Sequence, residues 1–279
     1  MAIDEFFTPS GVRLRRHAQR SGDMNWLFLP GGPGIGSESL KELADALDVP
    51  GNLWLVDLPG DGSNVTLPTF PDNHYQRWPE VLLEAAQALP NCVYVGHSTG
   101  GMYLLSVPEV EKHLKGLVLI STAPDASWHA GFVQMTLQNP LPAVAAAVRE
   151  FERDRTNEKL RDISVASAEW SFTPESVDIG RHLLARMPYN VKATDWSDRY
   201  FDDTYVAKWW PRSLPTLILS GADDRVVTQN LWNDSRFGGQ HVLQRTIDNA
   251  AHFLWMEKPE KVREAFADLV LMIEARNTG

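Results

Sequence analysis

Ser98 is the residue of this 279-residue chain whose surroundings point most directly to chemistry. It is the centre of a Gly-x-Ser-x-Gly motif at residues 96–100, which follows the apolar run of residues 92–95 and precedes a helix-compatible stretch. A serine in a tight strand-to-helix turn has strained backbone geometry and needs small neighbours, which Gly96 and Gly100 provide. The pattern therefore predicts a nucleophilic hydroxyl that projects into a reaction site.

A serine hydroxyl is a poor nucleophile near neutral pH unless a base, here a histidine, removes its proton. Of the eight histidines, His252 follows the β-like run of residues 242–247 and precedes a predicted helix, so we expect it at the same sheet edge as Ser98. His97 is next to Ser98, but successive side chains diverge at a sharp turn, so we assign it to packing or to a pocket wall. The other histidines are interpreted as surface or packing residues.

The imidazole in turn needs a carboxylate that fixes its tautomer and stabilises the imidazolium formed during attack. Asp223 and Asp224 are adjacent and follow the apolar run of residues 216–219. Because the carboxyl ends of parallel strands meet at one edge of a sheet, this turn is expected near Ser98 and His252. The two aspartates are therefore the first candidates for the acid.

Acyl transfer also needs hydrogen-bond donors for the oxyanion that forms on the attacked carbonyl. The backbone N–H of Thr99, which follows the nucleophile, is one expected donor. The second is expected from the glycine-rich loop of residues 30–34, directly after the apolar run of residues 25–29. Pro33 has no N–H, so Gly32 is predicted to be the donor.

Short apolar runs that alternate with helix-type segments must position these residues. The pattern predicts an α/β fold with a mostly parallel sheet and helices on both faces, because such strands are buried on both sides. The five main runs are residues 25–29, 53–56, 92–95, 117–120 and 216–219. Residues 5–8 and 12–17 predict an antiparallel hairpin at the sheet edge, and helical periodicity is clearest in residues 37–47, 76–89 and 259–276.

The strand pattern stops between residues 121 and 215, where short helices broken by prolines are predicted. We interpret residues 126–213 as a helical cap inserted into a core formed by residues 1–125 and 214–279. Aromatic residues are enriched in this segment. They either line a ligand cavity beneath the cap or build the cap's own small core.

Composition limits the partners of the protein. The formal net charge of −10 repels phosphate backbones and anionic membrane surfaces, so a small-molecule substrate is expected rather than nucleic acid or a membrane. The N-terminus lacks the features of a secretory signal, and no stretch reaches the roughly 18 unbroken apolar residues of a membrane span, which favours a cytoplasmic protein. Cys92, the single cysteine, lies in an apolar run and is predicted to be a core residue. No cofactor or metal ion is expected.

Taken together, these motifs resemble those of the α/β-hydrolase superfamily over nearly the whole chain. The resemblance implies a triad in the chain order Ser98, acid, His252. In related loops the acid is the fourth residue of a Gly-x-x-Asp turn, which implies Asp224 and leaves Asp223 facing solvent or Arg225. Some relatives place the acid one strand earlier, which makes Asp125 the alternative. The segments that carry the resemblance are residues 30–34, 57–63, 96–101, 221–227 and 252–259.

The loop at residues 31–34, Gly-Gly-Pro-Gly, is similar to that of the proline iminopeptidase branch, whose motif is His-Gly-Gly-Pro-Gly. Here Pro30 replaces the leading histidine. Enzymes of that branch hold the free amine of the substrate with cap glutamates. The cap acids available to this chain are Glu169, Glu175, Asp195 and Asp198, none of them in a matching motif.

The elbow at residues 96–101 is also similar to those of esterases and cofactor-free haloperoxidases.

The leading hypothesis is hydrolysis of a small, substantially apolar carboxylic ester or related acyl compound through an acyl-Ser98 intermediate. An N-terminal exopeptidase is the second hypothesis. The third is a ligand-binding protein of the same fold that turns over slowly or not at all. The presence of Ser98, Asp224, His252 and the loop glycines argues against the third, because binding alone does not require all of them.

Overall fold

The computed structural model describes residues 4–65 and 74–277. Within these ranges, one sheet contains eight strands: β1 (Glu5–Phe7), β2 (Arg13–Gln19), β3 (Asn25–Leu29), β4 (Asn52–Asp57), β5 (Cys92–His97), β6 (Leu114–Ile120), β7 (Thr216–Gly221) and β8 (Val242–Ile247). Their order across the sheet is β1-β2-β4-β3-β5-β6-β7-β8. The carboxyl ends of β3, β5, β6, β7 and β8 therefore lie along one edge.

The strands from β3 to β8 are parallel, whereas β1 and β2 form an antiparallel hairpin at the edge of the sheet. The α/β fold class and the edge hairpin are thus confirmed. Strand β6 begins three residues before the predicted run, because Leu114 already pairs with Cys92 although exposed Lys115 interrupts the apolar pattern. Pairing with the neighbouring strand, rather than local hydrophobicity, sets this boundary.

Alternating side chains of the strands build one core on each face of the sheet. Trp26, Phe28 and Val95 belong to one core, and Leu27 and Tyr94 belong to the other. Both faces are apolar, so each inner strand is almost fully buried. Cys92 is a core residue, as predicted: its thiol donates to the Leu89 carbonyl at 3.0 Å, and burial raises its pKa to about 12.

The helices in the described residues are α1 (Lys41–Ala46), α2 (Trp78–Gln87), α3 (Thr99–Leu105), α4 (Ser127–Gln138), α5 (Pro142–Arg153), α6 (Asn157–Ala166), α7 (Ala168–Ser171), α8 (Val177–Ala185), α9 (Val191–Tyr200), α10 (Leu254–Glu257) and α11 (Pro259–Asn277). Helices α1 and α11 cover one face of the sheet, and α2 and α3 cover the other. The predicted helices at residues 37–47 and 76–89 each begin with a 3₁₀ turn, Ser37–Leu40 and His74–Arg77.

Helices α4 to α9 lie between β6 and β7, where the sequence predicts short helices broken by prolines. Pro142 occupies the first turn of α5, a position that needs no hydrogen-bonded N–H. Leu183 and Tyr189 of this segment join the sheet core, and the Phe172 ring stacks on Phe253 at 5.0 Å. Some of the segment's aromatic residues therefore pack against the core. None of the helices in the described part of the chain is long and apolar enough to cross a membrane.

Candidate active site

Ser98 occupies a sharp turn between β5 and α3. Its backbone has φ 51° and ψ −126°, a strained conformation for a residue with a side chain, and its N–H donates to the Ile120 carbonyl at 2.8 Å. A Cβ on Gly96 would lie 2.6 Å from the Gly101 Cα, and one on Gly100 would collide with the Pro30 carbonyl. The two motif glycines are thus required by close backbone approach, as the sequence predicts.

His252 and Asp224 form a hydrogen-bonded pair at the carboxyl end of the sheet. The Nδ1 of His252 lies 3.0 Å from Oδ2 and 3.2 Å from Oδ1 of Asp224, whose side chain is fully buried. Asp224 Oδ1 also accepts from the backbone N–H groups of Val226 at 2.9 Å and Val227 at 3.0 Å. These contacts fix the carboxylate, assign the proton of His252 to Nδ1 and leave Nε2 as the basic nitrogen.

The other two candidate acids are not in this position. Asp223 is exposed to solvent. Asp125 accepts hydrogen bonds from the backbone N–H and the hydroxyl of Ser127, at the start of α4. Within the described residues, the hydrogen bonds of Asp125 include none to His252. The geometry therefore favours Asp224 as the partner of the imidazole.

The buried ring of His97 connects the elbow to the histidine loop. Its Nε2 donates to the backbone carbonyl of His252 at 3.1 Å, and the two ring centroids are 4.8 Å apart. Phe253 and Trp255 pack on the other sides of the ring. Burial, with a contribution from His252, lowers the pKa of His97 well below its usual value, so the ring is neutral. This position agrees with a packing role, but the hydrogen bond to His252 has no signal in the sequence.

The ring of His97, the residue next to Ser98, lies against His252, and the hydrogen bonds among the described residues do not include one between the side chains of Ser98 and His252. Hydrogen bonds of this kind are often long in ligand-free enzymes and shorten when substrate binds. Ser98 is 8% exposed and His252 is 5% exposed, so both are buried.

The glycine-rich loop lies directly against the nucleophile. A Cβ on Gly31 would be 2.6 Å from the Ser98 Cβ and 3.3 Å from its Oγ. The hydroxyl of Thr99 donates to the Gly32 carbonyl at 3.2 Å, which joins the two residues predicted to supply the oxyanion donors. Thr99 is also the first residue of α3, where backbone N–H groups have no partner within the helix. The structure therefore brings Gly32 and Thr99 together beside Ser98.

Glu257 on α10 stabilises the loop that carries His252. The sequence patterns above do not identify it as a site residue. Its Oε2 accepts from the Ala251 N–H at 2.6 Å, and its Oε1 accepts from the N–H and the hydroxyl of Thr173 at 2.7 and 2.8 Å. The His252 N–H in turn donates to the Ser171 carbonyl at 3.1 Å. The loop that carries His252 is therefore fixed to the segment between β6 and β7.

An apolar cluster flanks the elbow at the same edge of the sheet. Its buried members are Met102, Ala123, Tyr205 and Val227. Met102 is one turn of α3 away from Ser98, and Trp128 and Phe201 are partly buried members of the same cluster. A packed apolar and aromatic cluster thus lies beside the elbow.

The acids named as possible amine ligands are paired with arginines or exposed. Glu169 pairs with Arg181 at 2.8 Å, and Asp195 pairs with Arg155. Glu175 and Asp198 are exposed to solvent.

A model of the alpha/beta hydrolase family matches residues 26–265. The match covers the elbow, the Asp224 turn and the His252 loop. The chain belongs to this family. Membership supports a hydrolytic enzyme, in agreement with the resemblance that the motifs carry.

Curated relatives include esterases. The chain is 24% identical over 237 residues to the pimeloyl-[acyl-carrier protein] methyl ester esterase of Xanthomonas oryzae pv. oryzae, which covers 79% of this chain and 85% of that protein. It is 36% identical over 72 residues to the protein of the same name from Xylella fastidiosa. This second match spans about a quarter of the relative's length, 26% of each chain.

Solved structures share the fold over nearly the whole chain. The proline iminopeptidase-related protein from Thermus thermophilus aligns with a TM-score of 0.70 at 20% identity, covering 98% of this chain and 99% of that chain. An esterase from Exiguobacterium antarcticum aligns with a TM-score of 0.70 at 19% identity, covering 97% and 100%. At these identities the similarity establishes the fold.

Proposed function

We propose that the chain is a serine hydrolase that cleaves a small, substantially apolar carboxylic ester or related acyl compound. The observation that carries this proposal is the buried His252–Asp224 pair beside the strained Ser98 elbow, with the Gly32 loop against the nucleophile. A protein without a catalytic role would not require a His–Asp pair, a strained serine and a glycine-rich loop in one place.

In the proposed reaction, Ser98 Oγ attacks the ester carbonyl carbon and its proton passes to Nε2 of His252. Asp224 stabilises the resulting imidazolium through Nδ1. The oxyanion accepts hydrogen bonds from the N–H groups of Thr99 and Gly32. Collapse of the tetrahedral intermediate expels the alcohol, which takes the proton from His252, and leaves the acyl group on Ser98. A water molecule, deprotonated by His252, then releases the carboxylic acid.

An apolar cluster around Met102, Tyr205 and Val227 lies beside the elbow, and its partly buried members include Trp128 and Phe201. These two aromatic residues support an apolar acyl or alcohol group on the substrate. They belong to the segment at residues 126–213, to which we assign the role of a cap over the site. The esterases among the relatives have names that agree with ester cleavage.

An exopeptidase has less support. Its substrate carries a cationic amine that needs an acid in the site, and the four cap acids named from the sequence, Glu169, Glu175, Asp195 and Asp198, pair with arginines or are exposed. Pro30 also stands where the iminopeptidase motif has histidine.

The test is turnover of short-chain aryl esters and of prolyl and alanyl arylamides by the wild type and by Ser98→Ala. We expect ester turnover that is lost in Ser98→Ala, and a stoichiometric burst of aryl alcohol if deacylation is slow. Faster cleavage of the arylamides would favour the exopeptidase. Binding of an aryl ester with no burst and no turnover would favour the ligand-binding protein and contradict the proposal.

A further inference from the structure

Both backbone polar groups of Gly34, in the loop that also carries Gly32, are held by residues from distant parts of the chain. The Gly34 N–H donates to Oδ1 of Asp61 at 2.8 Å. Its carbonyl accepts from the N–H of Asn190 at 2.8 Å. A glycine-rich loop has little rigidity of its own, so these contacts determine where it lies.

Asp61 is a buried acid that the proposed reaction does not use. It is 3% exposed, and its Oδ1 accepts from the N–H of Gly62 at 2.8 Å as well as from Gly34. Burial, together with the nearby Asp57, raises the pKa of Asp61 to about 7. A buried carboxyl is costly to ionise, so an aspartate at this position needs an explanation. The hydrogen bonds that it accepts from the N–H groups of Gly34 and Gly62 provide one.

The start of α9 also contacts this loop directly. The hydroxyl of Thr194 donates to the Pro33 carbonyl at 3.0 Å. The side chain of Asn190 donates to the Gly60 carbonyl, and its Oδ1 caps α9 by accepting from the Lys192 N–H at 3.0 Å. A Cβ on Gly34 would lie only 2.7 Å from the Asn190 carbonyl oxygen, so the helix start is packed directly on the loop.

We propose that Asp61, Asn190 and Thr194 are positioning residues that hold the oxyanion loop and make it one unit with the start of α9. The proposal rests on the proposed function, since it assumes that Gly32 donates to an oxyanion. The negative charge on that oxygen develops in the transition state, so a displaced loop lowers kcat and leaves KM nearly unchanged.

Two matched pairs of variants test the proposal with an aryl ester. Thr194→Val removes the hydroxyl at nearly constant shape, and Thr194→Ser keeps it. Asp61→Ala removes the acceptor, and Asp61→Asn keeps an oxygen for both N–H groups. The readout is kcat per active site, with sites counted by titration of Ser98 with a fluorophosphonate.

We expect Thr194→Val and Asp61→Ala to lower kcat per site about tenfold with KM within about threefold, against roughly 10² to 10³ for loss of a whole oxyanion donor. Thr194→Ser and Asp61→Asn should retain kcat within about threefold of the wild type. In the double variant Asp61→Ala/Thr194→Val, the two losses should not multiply, because both contacts hold one loop.

A purely structural role predicts fewer titratable sites but an unchanged kcat per site, and that result would overturn the inference. If Asp61→Ala does not fold, the Thr194 pair alone decides, because Thr194 is only half-buried. Equal turnover by the wild type and Ser98→Ala would instead contradict the proposed function. Turnover that depends on Ser98, with Thr194→Val equal to the wild type, would contradict only the positioning role.

Discussion

Replacing Asp61 by asparagine should stabilise the protein, and the gain should grow with pH. The pKa of Asp61 rises from 3.8 to about 7 on folding, chiefly because the carboxyl is buried. Between these pH values the folded chain keeps a proton that the unfolded chain releases, so the free energy of unfolding falls as pH rises. At about 1.4 kcal/mol per pH unit, the wild type loses up to about 4 kcal/mol across this window.

Asp61→Asn carries no proton to release but keeps an oxygen that can accept from Gly34 and Gly62. It should match the wild type near pH 4 and exceed it by up to about 4 kcal/mol at pH 8. Urea unfolding followed by tryptophan fluorescence at several pH values measures the difference, since the chain has 10 tryptophans.

Asp57→Asn is the matched control, because Asp57 is also a buried aspartate in the same loop region. The guanidinium groups of Arg13 and Arg15 both lie 2.9 Å from its Oδ2. Its replacement should destabilise the protein by up to about 3 kcal/mol, since Arg13 and Arg15 lose a buried partner and keep only Glu38 as a counter-charge. If Asp61→Asn is less stable than the wild type at pH 8, or if their difference does not change with pH, the pKa of Asp61 is not raised on folding.

Two further predictions concern the histidine loop and the acid. His97→Leu should lower kcat about tenfold, because the His252 carbonyl loses its hydrogen-bond donor. His97→Gln supplies an N–H and should keep kcat within about threefold of the wild type. Equal kcat values for the two variants in steady-state assays would argue against a role for this contact. Asp224→Asn should lower kcat by about 10⁴, as expected when the imidazole takes the wrong tautomer. Asp125→Asn should have little effect on kcat. A larger loss of kcat in Asp125→Asn than in Asp224→Asn would identify Asp125 as the acid.

Much of the fold is predictable because a strand that is buried on both faces appears in the sequence as a short apolar run. Strand β3 matches its predicted run, residues 25–29, because all five side chains are buried. The start of β6 is not predictable in this way, since residues 114–116 are set by pairing with β5 and include exposed Lys115. Local hydrophobicity therefore finds strand centres more reliably than strand ends.

The position of Ser98, Asp224 and His252 at one edge of the sheet follows from topology, because each comes after a parallel strand and the carboxyl ends of those strands share that edge. The contacts that hold these loops could not be found in the same way. Thr194 lies 161 positions from Pro33, and Glu257 lies 84 positions from Thr173. No spacing or motif in the sequence relates such pairs, so only the folded chain reveals them.

The most direct test of the mechanism is to trap the acyl-enzyme. The wild type is mixed with an aryl ester that deacylates slowly, quenched in acid within the burst, digested and mapped by mass spectrometry. We expect the mass of the acyl group on the peptide that contains Ser98, and no such adduct in His252→Ala, which lacks the base for attack. Hydrolysis without an adduct, or an adduct on a peptide that lacks Ser98, would contradict it.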